Sequence, residues 1–125
     1  MIFLKEEKTV AISFEAIGER LVTFAAGDGL TAGKVCKISA NGTVGPCSEE
    51  GFCGVAAEVR GGMAGVILEG YVELSYAGST APGLGYAALT TNKAGEVVPA
   101  EEGGAGRTCL VVSVDAANKK IGLFL

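Results

Sequence analysis

The amino-acid sequence predicts an all-β fold, a small β-barrel or sandwich built from two similar β-units with at most one short helix. Three observations predict it: short runs rich in β-branched residues, frequent turn residues between them, and a weak internal repeat. The 20 glycines and three prolines among 125 residues make up about 18% of the chain, above the usual ~12%, which indicates many turns. This length fits a single domain with a sizeable core.

β-prone runs separated by turn residues cover most of the chain. Residues 34–40, the pair Asn41-Gly42 and residues 43–44 form the clearest signal, because Asn-Gly between such runs is the strongest short hairpin signature. A helical pattern occurs only over 15–23, where Gly18 and a β-branched end limit it to one short helix. Further strands are predicted at 9–14, 20–24, 53–59, 65–74, 85–90, 96–98, 108–114 and 119–125.

The two halves of the chain carry similar landmarks in the same order. Pro46 precedes Pro99 by 53 residues, and Cys53 precedes Cys109 by 56. We therefore predict one domain, 1–125, in which residues 31–70 and 81–125 are two similar β-units that pack together. Coincidental spacing in a chain rich in Gly, Ala and Val is the alternative. Residues 1–18 lie outside the repeat and are interpreted as an N-terminal arm or as a first strand.

Composition and charge argue against several function classes. Ten Lys and Arg against 14 Asp and Glu give a net charge of −4, which suits phosphate backbones poorly, so we expect no nucleic-acid partner. Uncharged runs fall short of the ~20 apolar residues of a membrane span, so we expect no membrane partner. Charges appear from Lys5 onward, too early for a signal-peptide core, so we expect an intracellular protein.

The sequence predicts no catalytic, cofactor-binding or metal-binding residues. The chain has no His, and its closest cysteines, Cys47 and Cys53, have five residues between them, unlike the close pairs of zinc sites. The four cysteines are interpreted as reduced, buried thiols. No serine lies in a G-x-S-x-G elbow, so we expect neither an enzyme nor a small-molecule substrate.

Two near matches to functional motifs have simpler interpretations. Residues 29–35 resemble a nucleotide-binding loop but have three residues between the glycines and Val35 in place of Ser or Thr, so they predict a turn before a strand. The pairs Glu49-Glu50 and Glu101-Glu102 are interpreted as solvated loop tips, with a general acid/base couple or a Ca²⁺ site as alternatives. We expect the tyrosines to lie at a rim with their hydroxyl groups exposed to solvent; they are Tyr71, Tyr76 and Tyr86.

Several glycine-containing segments resemble a family of small phage capsid cement, or head decoration, proteins. The segments are 26–29, Ala32-Gly33, 54–56, 65–74, Pro82-Gly83 and 121–123, of which 65–74 matches the family pattern best. The resemblance covers residues 20–125. It departs from the pattern at 108–111, which lacks a glycine. Members of this family were long uncharacterised and sometimes labelled recombinase-like.

The resemblance implies a non-enzymatic structural virion protein. It implies a homotrimeric β-barrel on the outside of a phage or prophage head, made in the bacterial host cytoplasm, that binds the major capsid protein and stabilises its lattice. No cofactor is implied. The apolar N-terminal residues Ile2, Phe3 and Leu4 are candidate capsid or subunit contacts, and a first barrel strand is their alternative role.

The sequence is also compatible with a second class of function. The chain is alternatively a non-catalytic β module of a phage tail or spike, or a carbohydrate-binding domain. Sugar-binding modules usually display exposed aromatic side chains, and this chain has no Trp and three Tyr.

Overall fold

The computed structural model describes residues 2–3, 11–12, 19–101, 104 and 106–125. All regular structure in this part of the chain is β-strand, so the all-β prediction is confirmed. The short helix predicted over 15–23 does not form in the described part of that segment, because residues 20–23 belong to β3. The strands are β1 Ile2–Phe3, β2 Ala11–Ile12, β3 Arg20–Ala26, β4 Val35–Ala40, β5 Thr43–Pro46, β6 Gly54–Arg60, β7 Met63–Glu69, β8 Tyr71–Ser75, β9 Gly85–Thr91, β10 Val97–Pro99, β11 Arg107–Asp115 and β12 Lys120–Phe124.

Strands β3 to β7 form a closed five-stranded barrel in the order β3-β5-β4-β6-β7. The Asn41-Gly42 turn joins β4 to β5, with Gly42 at a φ of 64°, and β3 pairs with β5 in parallel to close the barrel. Alternating side chains of these strands fill its interior. The buried interior residues are Leu30, Cys36, Val44, Ala56, Ala64 and Val66.

Strands β8 to β12 form a second five-stranded sheet in the order β10-β9-β11-β12-β8. This is the strand order of the barrel, with β8 in the place of β3 and β10 in the place of β5. A single parallel bridge, Tyr76 to Val97, stands where the barrel has its closing strand pair. The backbone N–H of Ala77 donates to the Val97 carbonyl at 2.8 Å, as that of Gly27 donates to Val44 at 2.7 Å. The two β-units thus share one topology.

Residues 65–74, for which the sequence predicts a single strand, form two strands. Strand β7 ends at Glu69 in the barrel and β8 begins at Tyr71 in the second sheet. Gly70 between them has a φ of 121°, and a Cβ there would lie 2.9 Å from the Cα of Glu19. Only glycine adopts this backbone without strain, so the chain passes from one unit to the other at Gly70.

A shared apolar core joins the two units. The loop after β5 also docks on the β9–β10 turn: the Glu49 N–H donates to the Asn92 carbonyl at 3.0 Å, and the Ser48 hydroxyl donates to the Lys93 carbonyl at 3.1 Å. The barrel and the second sheet therefore form one body. Its core residues are Val35, Cys47, Phe52 and Val55 from the first unit and Val72, Leu74, Tyr76, Leu89, Val97, Cys109, Val111, Ile121 and Leu123 from the second.

Candidate interaction surface

An apolar row crosses the outer face of the second sheet. Leu110 of β11 stands opposite Tyr86 of β9 and opposite Phe124 of β12, and Phe124 stands opposite Tyr71 of β8. Directly opposed residues of antiparallel strands project on the same face. The neighbouring position Val111 is buried in the core, so these four side chains lie on the other face. We call Tyr71, Tyr86, Leu110 and Phe124 the outer row.

The outer row runs from a buried end to an exposed one. Tyr71 is 7% exposed, its ring meets that of Phe124 edge-on at 5.5 Å, and its hydroxyl donates to the Glu73 carboxylate at 3.0 Å. Tyr86, by contrast, is 80% exposed, and Leu84 beside it is 71% exposed. The expected rim position therefore holds for Tyr86 and is wrong for Tyr71 and for Tyr76, which packs in the shared core.

A second apolar surface lies on the barrel. Leu21 of β3 and Met63 of β7 are 58% and 50% exposed. With Thr23 and Gly65 they line a shallow depression of about 250 Å³. Glu58 and Arg60, which form an ion pair, border it. We call Leu21 and Met63 the barrel patch. Both surfaces can bind a partner through apolar contact, because the transfer of such side chains out of water lowers the free energy.

The predicted contact residues at the N-terminus form a separate element. Ile2 and Phe3 of β1 pair with Ile12 and Ala11 of β2 in a two-stranded sheet of their own. The barrel closes through β3 and β5, so β1 does not take the alternative role of a barrel strand. Leu4 lies outside the described residues.

Glu50 is not a freely solvated acid. Its carboxylate accepts hydrogen bonds from Lys37 Nζ at 2.7 Å and from the Ser48 N–H at 3.2 Å. The hydrogen bond from Lys37 is the main cause that lowers the pKa of Glu50, and the Ser48 N–H acts in the same direction. Glu49 and Glu101 are exposed, and Glu102 lies outside the described residues. No group of three or more Cys, Asp or Glu side chains is placed to hold a metal ion in the described ranges.

The four cysteines are free thiols, and Cys36, Cys47 and Cys109 are buried whereas Cys53 is partly exposed. Burial raises the pKa of Cys47 to about 11. The glycine-containing segment 29–35 forms a turn that leads into strand β4, as its sequence predicts. No helix that could span a membrane occurs in the described part of the chain.

Sequence reasoning predicted Tyr86 at a rim but missed the exposed Leu21, Met63 and Leu84. A signal was present for Tyr86, because it lies three residues before the core residue Leu89 and therefore points to the opposite face of the strand.

The chain matches no protein-family model, and no curated protein is significantly similar to it.

Proposed function

We propose that this chain is a non-enzymatic structural protein of a phage or prophage virion. It binds the outside of the head as a homotrimer, contacts the major capsid protein and stabilises the capsid lattice. The observation that carries the proposal is the display of large apolar side chains on two surfaces of a body whose units share one core. The resemblance of residues 20–125 to head decoration proteins supports the same function.

The arrangement of these surfaces suits a structural clamp. A decoration protein contacts both its own copies and the shell, so it needs more than one contact surface. The outer row and the barrel patch lie on different β-units, and the exposed members of each are apolar. In a symmetric trimer every such contact is repeated, so modest apolar areas add up to a stable assembly.

The first experiment measures the solution mass of the purified protein by light scattering across a tenfold concentration range. We expect the wild-type protein to have the mass of three chains. Tyr86→Ala or Met63→Ala should lower this mass if the substituted residue lies between copies. Thr31→Ala, an exposed position away from both surfaces, is the matched control and is expected to keep the wild-type mass.

The second experiment measures binding to empty expanded heads assembled from the major capsid protein that we expect to be encoded beside this gene. We expect the protein to sediment with the heads and to raise their melting temperature, since a ligand stabilises the state that it binds. A protein that neither trimerises nor binds heads would overturn the proposal. Thermal stabilisation by a glycan in the same series would favour the carbohydrate-binding alternative.

A further inference from the structure

Two cysteines of the barrel lie next to each other where β4 pairs with the start of β6. Cys36 lies in β4, opposite Gly54 of β6, and Cys53 directly precedes Gly54. The Cys53 N–H donates to the Cys36 carbonyl at 2.8 Å. Cys36 is one of the buried residues of the barrel interior, and the partly buried Cys53 packs against that cluster. Opposed antiparallel residues have Cα atoms about 5 Å apart, and Cys53 lies one position, about 3.4 Å, further along the chain than the residue opposite Cys36. Its Cα is therefore close to the separation that a disulfide requires.

The two thiols differ in access. Cys36 is fully buried, so a dissolved reagent does not reach its sulfur. Cys53 is partly exposed, and the Arg107 guanidinium is hydrogen-bonded to its backbone carbonyl. A partly exposed cysteine near a cation is the kind that reacts as a thiolate.

The electrostatics of the pair agree with this difference. The neighbouring Cys36 side chain is the main cause that lowers the pKa of Cys53, and the charge of Arg107 lowers it further. The Cys53 side chain and burial raise the pKa of Cys36, whose thiol donates to the Gly54 carbonyl at 3.6 Å. Reaction therefore begins at Cys53, with Cys36 as the partner sulfur.

From this geometry we infer that Cys36 and Cys53 form a dithiol site that reacts with small disulfides such as oxidised glutathione. The Cys53 thiolate attacks one sulfur of glutathione disulfide, the S–S bond breaks, and glutathione leaves as a thiolate that takes up a proton. Cys36 then loses its proton and attacks the Cys53 sulfur, which releases the second glutathione. The two cysteines are oxidised by two electrons, and the glutathione disulfide is reduced to two thiols.

The product is a cross-link between β4 and the start of β6. It closes the chain from Cys36 to Cys53, which includes the loop that docks on the β9–β10 turn. Closing a loop of this length restricts the unfolded chain and raises stability. We expect the melting temperature of the oxidised protein to rise by about 5–10 °C. The inference concerns the barrel alone and does not depend on the proposed virion function.

The experiment incubates the folded protein with oxidised glutathione and follows free thiols by alkylation and intact mass. We expect two of the four thiols to disappear, the mass to fall by two hydrogen atoms, and peptide mapping to link Cys36 to Cys53. Dithiothreitol should restore all four thiols and the lower melting temperature.

Single variants separate the two roles. Cys36→Ala should stop at a glutathione adduct on Cys53, and Cys53→Ala should keep its three thiols. Cys109→Ala is the matched control, since it removes a buried cysteine of the second sheet and should still form the Cys36–Cys53 link. Retention of all four thiols in the wild-type protein, or a link that uses Cys47 in place of Cys36, would overturn the inference even if a variant failed to fold.

Discussion

The guanidinium of Arg107 donates to the backbone carbonyl of Leu68 at 3.0 Å. Its other terminal nitrogen donates to the carbonyl of Cys53. Arg107 begins β11 of the second sheet, whereas Leu68 lies in β7 and Cys53 precedes β6 of the barrel. One half-buried cation thus satisfies two backbone acceptors across the boundary between the units, which adds a polar tie to their shared apolar core.

The first prediction removes this tie. Arg107→Met keeps an apolar stem but leaves the Leu68 and Cys53 carbonyls without their charged donor, and we expect a loss of about 2–4 kcal/mol in the free energy of unfolding. Arg107→Lys should lose less, because one ammonium reaches one acceptor but lacks the planar fork. Urea denaturation measures both. Equal stability of Arg107→Met and wild type would show that the two hydrogen bonds contribute nothing net.

The second prediction concerns the tight approach of β6 to β7. A Cβ at Gly54 would lie 2.5 Å from the Ile67 carbonyl oxygen and 2.8 Å from a methyl of Val66. Because the first clash is with backbone, Gly54→Ala should cost about 2–3 kcal/mol. Gly83→Ala is the control, since nothing lies within 4 Å of its added methyl, and it should stay within about 0.5 kcal/mol of wild type. Thermal unfolding of the two variants side by side tests the difference.

The strands were predictable from the sequence because their signals are local. The Asn41-Gly42 turn and the alternation of β-branched residues place strand and turn within a few positions. The break at Gly70 was not predictable, since it depends on the distant backbone of Glu19, which crowds that position. The strand-like residues 66–68 and 71–74 on either side made Glu69 and Gly70 resemble part of one continuous strand.

The candidate surface was predictable only in part. The outward direction of Tyr86 follows from its phase relative to Leu89. That Leu110 and Phe124 stand beside it depends on the order β9-β11-β12, which pairs segments far apart in the chain. The burial of Tyr71 and Tyr76 has the same origin, because packing between the elements decides which tyrosine is covered.

The third prediction tests the contact between the loop after β5 and strand β9. Thr91 is 3% exposed, and its hydroxyl accepts from the Glu50 N–H at 3.0 Å and donates to the Glu50 carbonyl at 2.6 Å. Thr91→Val preserves the shape but removes both bonds, so we expect a loss of about 1–3 kcal/mol. Thr91→Ser keeps the hydroxyl and should cost about 1 kcal/mol or less for its lost methyl. A loss for Thr91→Val no larger than that for Thr91→Ser in urea denaturation would mean that the two hydrogen bonds contribute no more than the methyl group does.

The fourth prediction concerns acid stability. The hydrogen bond from Lys37 lowers the pKa of Glu50 below its value in the unfolded chain. A carboxyl shifted in this direction stabilises the folded state fully above its unfolded pKa and loses that contribution as the pH falls through the folded pKa. We therefore expect the melting temperatures of wild type and Glu50→Gln to differ at about pH 6 and to converge towards about pH 3.

The matched control for that change is Glu49→Gln, which neutralises an exposed carboxylate one residue away from the pair with Lys37. Its difference from wild type should lack the convergence seen for Glu50→Gln. High salt should reduce the Glu50→Gln effect, because the side chains of Lys37 and Glu50 are 33% and 42% exposed and salt screens such pairs. A melting-temperature difference that stays constant over the whole pH range would mean that Glu50 stabilises the loop by its shape and neutral hydrogen bonds. The ion pair between its carboxylate and Lys37 would then contribute nothing to stability.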